Sequence, residues 1–408
     1  MEEIQYKAFK FRLLPTEEQK VLLSKHFGCA RFVYNHFLKE KQEHYLTNKE
    51  SLNYHSCAAA LTRLKKTEDH IWLNEVNSQC LQTSMKNLET AYHRFFEKNS
   101  GFPKFKKRSN INSFTCPQFV TLNGPKHIQI VKFKEGIKFI NHREIKGKIK
   151  SATISRVPSG KHYISILCEI PKQQHLPKTG KSIGIDLGIK DFIVTSEGQK
   201  YSNPRFLKNF ESKLKKQKQN FSRKQKDSNR KEKARIKAAR TCEKITNSRE
   251  NMQHQVSSSL IKQYDLIALE DLNVKGMVKN HSLAKAISDV SWSSFVAKLK
   301  YKAEWYGKEI VVIERFFPSS KTCNKCHHIK ESLDLSERSW KCPKCDVMHD
   351  RDINAAKNIL QRALTIKSSG TDDYRHGVKI RPKAEKSAKG TDVEVSKKKR
   401  IYSLKPFE

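Results

Sequence analysis

The feature that most restricts this chain is a pair of CxxC knuckles, Cys323/Cys326 and Cys342/Cys345, with fifteen residues between them. Four thiols at this spacing make two hooks that can close tetrahedrally on one ion, the pattern of a zinc ribbon. Four protein ligands leave no open position, so the expected Zn2+ is structural. His327, His328 and His349 lie close enough to replace a cysteine, but His349 reads better as a polar neighbour of the cluster. Cys29, Cys57, Cys80, Cys116, Cys168 and Cys242 are scattered without a framework spacing, as in a reducing compartment. Directly after the second knuckle comes HDRDINAAKNIL (349–360), a helix that opens on acids. A metal clip thus stands beside a carboxylate, Asp352.

Charge narrows the partner. The 408 residues carry 81 Lys and Arg against 42 Asp and Glu, a formal +39. Self-repulsion on that scale opposes compaction unless a polyanion neutralises it, and nucleic acid is the usual polyanion. The N-terminus lacks a signal-peptide core and no run is long enough for a membrane span, so a soluble, cytoplasmic protein is expected.

Along the chain, residues 3–13 alternate as a strand and Pro15-Thr16-Glu17-Glu18 opens a helix. CARFVYNHFL (29–38) and LQTSMKNLETAYHRFF (81–96) read as packed helices. The second has a core stripe of Leu81, Met85, Leu88, Tyr92, Phe95 and Phe96. Its other face carries Gln82, Lys86, His93 and Arg94. GFPKFKKRSN (101–110), with Lys104, Lys106 and Lys107, is a basic aromatic loop, either a backbone grip or a solvated turn. Short alternating runs follow (HIQIVKF, GIKFI, SATISRV, HYISILCEI), the last two joined at Pro158-Ser159-Gly160. With the N-terminal strand they suggest a small β-barrel interrupted by a helical insertion. PKQQHLPKTG (171–180) reads as a linker.

A second domain begins at Lys181 with strand, glycine turn and strand in KSIGIDLGIKDFIVTSEG. Residues 205–250 hold 17 Lys and Arg, among them Lys215 and Lys216, against 5 Asp and Glu. A stripe through Phe206, Phe210, Leu214, Ala238, Cys242, Ile245, Met252 and Val256 predicts a helical hairpin whose charged face suits phosphates. LIALEDL (266–272) is a buried strand ending in acids. SWSSFVAKLKYKAEWYG (291–307) is a helix stopped by glycine, and EIVVIERFFP (309–318) a strand leading into the cysteines. The last forty residues read as disordered.

Three carboxylates occupy regular elements: Asp186 inside GIDLG, Glu270 closing IALE, and Asp352 beginning its helix. Grouped acids are costly unless cations neutralise them, and Mg2+ prefers such oxygen donors. Two ions can activate water and stabilise the leaving oxygen of a phosphodiester. Gly184 and Gly188 flank Asp186, which would let a phosphate approach the backbone. No GxxxxGK[ST], GxSxG or GxGxxG motif is present, nor a His-apolar-His pair with a tyrosine.

GIDLGIKDF, IALEDLNVKGM, FFPSSKTCNKC and CPKCDVMHDRDINAAKNI together resemble the RuvC-like nuclease and zinc ribbon of TnpB proteins, transposon-encoded RNA-guided nucleases formerly called OrfB transposases and related to type V CRISPR effectors. The likeness extends through CARFVYNHFL and GFPKFKKR and covers nearly residues 1–365. It implies a multidomain α/β plus β-barrel protein. A wedge-type barrel would occupy 1–14 and 113–170, and a helical recognition insertion 15–112. An RNase H-like (RuvC) nuclease would occupy 181–365, including the hairpin 205–250 and the ribbon 318–348, followed by a tail at 366–408. The resemblance makes Asp186, Glu270 and Asp352 the catalytic Mg2+ ligands, in preference to Asp271 and Asp350, with Asn354 as nearby support. It implies a guide RNA from the transposon end, double-stranded and single-stranded DNA targets, and a separate tyrosine transposase. Tyr54, Gln79 and Gln82 become candidate readers of a motif flanking the target. The competing expectations are a guide-dependent DNA-binding regulator that does not cut and a transposase acting directly in strand transfer.

Overall fold

The computed structural model describes residues 3–108, 112–172, 174–334 and 336–369. The chain opens with β1 (Ile4–Leu13), whose Phe9, Phe11 and Leu13 point inward while Lys10 and Arg12 point out. Thr16 and Gln19 then form a reciprocal capping box that starts α1 (Glu17–Asn48). The short helix α2 (Tyr54–Leu64), a 3-10 segment over Glu68–Glu75 and α3 (Ser78–Phe96) pack against α1 around Val33, Phe37, Leu81 and Leu88. The predicted stripe of α3 holds through Leu88, but Phe96 is 70% exposed, because α3 outruns the helices that cover it.

β2 (Asn112–Cys116), β3 (Thr121–Asn123), β4 (His127–Ile130), β5 (Phe133–Lys138), β6 (Lys148–Arg156) and β7 (His162–Pro171) follow. They form two antiparallel sheets, ordered β1-β7-β6-β2 and β3-β4-β5. The run HIQIVKF is two strands rather than one, reversed where Lys132 adopts φ 75. Leu13 bridges Phe139 and joins the sheets at one corner, and both contribute to a single core with Phe11, Phe114, Ile128 and Ile164. Pro171 still belongs to β7. The segment after it is pinned rather than free, since Asp265 accepts the Thr179 and Gly180 N–H groups.

The second half is a three-layer unit. β8 (Ser182–Leu187), β9 (Asp191–Thr195) and β10 (Lys200–Ser202) make an antiparallel meander. The basic hairpin is α4 (Phe206–Ser222) and α5 (Asn229–Gln263), longer than its sequence stripe. Leu214 and Ile245 of that stripe are buried, but Thr241 is buried where Cys242 is exposed, with Ala234 also on the inner face. β11 (Leu266–Glu270) is followed by α6 (Val274–Met277), α7 (His281–Val290), α8 (Trp292–Tyr306) and β12 (Glu309–Ile313). Gly307, at φ 65, ends α8 as expected. Then come β13 (Ser339–Lys341), β14 (Met348–Asp350) and α9 (Arg351–Ser368). The five-stranded order is β10-β9-β8-β11-β12, with β11 parallel to both β8 and β12.

Alternation along the strands divides their residues between two helical layers. Ile183, Ile185, Ile267 and Leu269 face α5, α7 and α8. Leu266, Ala268, Val311 and Ile313 face α9, whose Ile359, Ala363 and Ile366 are buried against them. The expected tail therefore begins after α9 rather than at residue 366, and residues 370–408 lie outside the described part. No helix among the described residues is long and apolar enough to cross a membrane.

Candidate active site and its neighbouring cysteine cluster

The same alternation decides where the acids go. On β8 the α9-facing positions are Gly184 and Asp186; on β11 they are Leu266, Ala268 and Glu270. Pairing of Ala268 with Gly184 and Leu269 with Ile185 brings Asp186 and Glu270 to adjacent strand ends on one face. The first turn of α9 adds Asp352 from above. Burial first, then the charges of Glu270 and Asp352, push the Asp186 carboxyl up to about 7, with Arg351 opposing the rise. Burial raises Glu270 as well, against a hydrogen bond from Ser319. Three carboxylates from well-separated segments thus share one electrostatic site.

Each neighbouring acid is engaged elsewhere. Asp350 is the N-cap of α9, accepting from the Asp352 and Ile353 N–H groups at 3.1 Å and pairing with Lys200 at 2.6 Å. Asp271 pairs with Arg315 at 2.6 Å on the surface. Asp352 and Glu270 are left to face Asp186. The expectation for the glycines is overturned. A Cβ on Gly184 would lie 2.1 Å from the Ala356 carbonyl oxygen, so its missing side chain admits α9 and not a phosphate. At Gly188 a Cβ would lie 2.6 Å from the Asp191 carbonyl oxygen, so that glycine serves the β8–β9 turn.

Among the described residues, Cys323, Cys326, Cys342 and Cys345 are the group whose potential ligand atoms all lie within 4.8 Å of one another. This donor set fits a tetrahedral Zn2+. His349 Nε2 sits 3.0 Å from Cys323 Sγ and its ring lies against Trp340, the neighbour role expected of it. Asn354 and Asn358 of α9, both buried, donate to the Thr322 carbonyl at 2.7 and 2.6 Å, and Asn358 also donates to the Ser319 carbonyl at 2.8 Å. Asn354 accepts from the Asn324 N–H at 3.1 Å. These amides clamp the approach to the first knuckle, and Ser319 in that approach hydrogen-bonds Glu270. From between the knuckles, Arg338 reaches within 3.7 Å of Asp352.

Ser319, Arg338, Arg351 and Asn358 were not legible as site residues. Only the Asn354/Asn358 spacing of four, two amides on an otherwise apolar helix face, was a usable signal.

The suggested nucleic-acid contacts divide. Tyr54, Gln79, Gln82 and Lys86 share a surface: Gln79, Gln82 and Lys86 follow one face of α3, and Lys86 Nζ lies 5.7 Å from the Tyr54 ring. Lys104, Lys107, Lys215 and Lys216 are exposed. Lys106 is exposed as well, with its Nζ 3.9 Å from the Tyr34 ring centroid and its backbone held by Asn35. A groove of about 980 Å3 separates the N-terminal sheet from α5, lined in part by Lys10, Arg12, Tyr163, Arg235 and Glu243. Tyr163 donates to Glu243 across it at 2.6 Å.

The chain is similar to known proteins along most of its length. Residues 165–281 match a family profile described as "Probable transposase", and residues 292–359 one described as "Cas12f1-like, TNB domain". Residues 1–50 match one described as "Helix-turn-helix domain", although here they form a strand and one continuous helix. A chain of the cryo-EM structure of the Cas12f1-sgRNA-target DNA complex is similar with a TM-score of 0.51 at 14% identity, over 87% of this chain and 98% of that one, a likeness of fold alone. The mimivirus "TnpB-like protein L79" of Acanthamoeba polyphaga mimivirus is 29% identical over 53% of this chain and 44% of its own. The Escherichia coli (strain K12) protein named "Putative RNA-guided DNA endonuclease InsQ" is 30% identical over 89% of this chain and 94% of its own. A Streptomyces pristinaespiralis protein named "Putative RNA-guided DNA endonuclease" is 37% identical over 94% of both chains. Identity at that level along nearly the whole of both chains means that this protein belongs to the TnpB family.

Proposed function

We propose that the chain is an RNA-guided DNA endonuclease of a transposable element, cutting phosphodiesters at Asp186, Glu270 and Asp352 with Mg2+, next to a short motif flanking a guide-matched target. The observation that carries this reading is the grouping of Asp186 and Glu270, on one sheet face, with Asp352 of α9 in a chain of net charge +39. A buried acid whose pKa is raised by two neighbouring carboxylates, inside a cationic protein, suits a divalent ion better than a structural role. When bound there, Mg2+ supplies Lewis acidity toward the phosphodiester and its attacking water.

The protein's own groups prepare that site. Asp186 must lose its proton before it can ligate, which the nearby Arg351 favours and burial opposes. Ser319 orients Glu270, and the Asp350 cap fixes the turn that presents Asp352. Arg338, half-exposed beside Asp352, is available to a DNA phosphate. The sheet order β10-β9-β8-β11-β12 with acids at the ends of β8 and β11 supports the RuvC-like assignment of 181–365. Two sheets around one core support a barrel formed by 1–14 and 113–170. The cations of the groove beside α5 and of the hairpin suit a guide RNA from the transposon end. Pairing by that RNA would read double-stranded or single-stranded DNA, and strand transfer would fall to a separate tyrosine enzyme.

Purified protein carrying RNA from its own locus, given Mg2+ and a plasmid with a matched target and randomised flank, should cut it. Chelation or Asp186→Ala should stop the cutting. Tight guide-dependent binding without cleavage points to the regulator, and strand-joined products without a guide to a transposase.

A further inference from the structure

The turn between β2 and β3 holds a residue that packing does not explain. Phe119 is 68% exposed and adopts φ 55, the left-handed region that bulky side chains avoid. Its ring belongs to none of the buried clusters, although Cys116 and Val120 on either side are buried in the core of the N-terminal sheets. The turn is firmly seated as well. The Cys80 and Cys116 sulfurs lie 3.5 Å apart beneath it, and Gln79 Nε2 donates to Gln118 Oε1 at 3.1 Å. The Gln79 amide oxygen is buried without a partner, and the Asn77 side chain, accepting from the Gln79 N–H at 3.0 Å, fixes the start of α3. An exposed ring held in a disfavoured backbone on a rigid base is fit to enter a partner rather than to stabilise the chain.

The surroundings indicate which partner. On the same face of α3 as Gln79, the exposed Gln82 and Lys86 offer an amide and a cation, and the whole chain is strongly positive. That chemistry suits a polyanion with base edges. An apolar ring beside it can enter between stacked base pairs, as wedge residues of architectural DNA-binding proteins do. We propose that Phe119 is the wedge that unstacks the first base step of double-stranded target DNA next to the Gln79–Gln82–Lys86 face, so that guide pairing can begin. The inference rests on the RNA-guided reading above and adds a role that reading does not assign.

The test compares two targets, one fully paired and one already opened by mismatches at the base steps beside the flank. Phe119→Gly removes the ring and relieves the positive φ, so its Tm should equal or exceed that of the parent. It should cut the paired target at least about tenfold more slowly, yet cut the opened one within about twofold of the parent. Phe119→Trp should retain cutting of the paired target. With 2-aminopurine at that step and no Mg2+ added, the parent complex should raise fluorescence and Phe119→Gly should not. Equal losses on both targets, no loss on either, or a loss of RNA binding by Phe119→Gly overturns the wedge alone. Failure of the parent to cut either target overturns the RNA-guided reading, and the wedge with it.

Discussion

The cysteine cluster and the carboxylate cluster adjoin in space but are made differently. The cysteines come from one stretch of 23 positions, Cys323 to Cys345, and their four sulfurs draw together around a short two-stranded ribbon. The acids come from β8, β11 and α9 and meet only when a parallel pairing and a helix–sheet packing are both correct. A metal knuckle therefore depends on local chain geometry, whereas a grouped-acid site depends on the whole domain. The lesson is that the two should fail independently, except through the Asn354/Asn358 clamp and Ser319.

The largest effect is expected from Asp186→Ala, which should reduce cutting by roughly 10³-fold or more while zinc content and RNA binding stay unchanged. Loss of zinc in that variant would break the comparison at once. Next, Gly184→Ala forces a methyl group into the Ala356 carbonyl of α9 and should destabilise the domain by about 3 kcal/mol in urea unfolding. Zinc should remain bound in the surviving folded protein. Asn358→Ala leaves the buried Ser319 carbonyl short of its best donor and should cost about 1–2 kcal/mol, with cutting reduced through Glu270 before any zinc is released.

The last effect concerns pH. In metal-free protein the Asp186 carboxyl lies near 7, above its ordinary value of 3.8, so the folded state binds more protons than the unfolded state between those values. Stability contributed by this group is thus present below about pH 4 and lost as pH rises toward 7. Asp186→Asn removes that loss. It should raise the Tm of metal-free protein by a few degrees at pH 8 and by little at pH 4. An equal gain at both pH values would mean that the Asp186 carboxyl is not raised in the folded protein.

Much of the N-terminal half was legible because capping and alternation are local: Thr16 does begin α1, and the β6–β7 hairpin turns at Pro158-Ser159-Gly160. Misreadings arose where a pattern has more than one physical solution. HIQIVKF is equally good as one strand or two, and the α5 stripe keeps Ile245 but buries Thr241 in place of Cys242. Lys106 is exposed as a basic loop suggests, and its place over the Tyr34 ring has no local signal. Phe119 carried no signal at all, since a left-handed φ leaves no trace in residue type unless glycine or asparagine occupies it.

By itself the sequence determined the cysteine hooks, the strongly cationic character and the three acids that could matter, since each is a matter of residue type and short spacing. Only the tertiary structure decided which acids face one another, why Gly184 has no side chain, and that Ser319 and two asparagines connect the ribbon to Glu270. The reason is range: chain connectivity constrains a few residues at a time, while the meeting of β8, β11 and α9 is selected by burial of a whole sheet between helices.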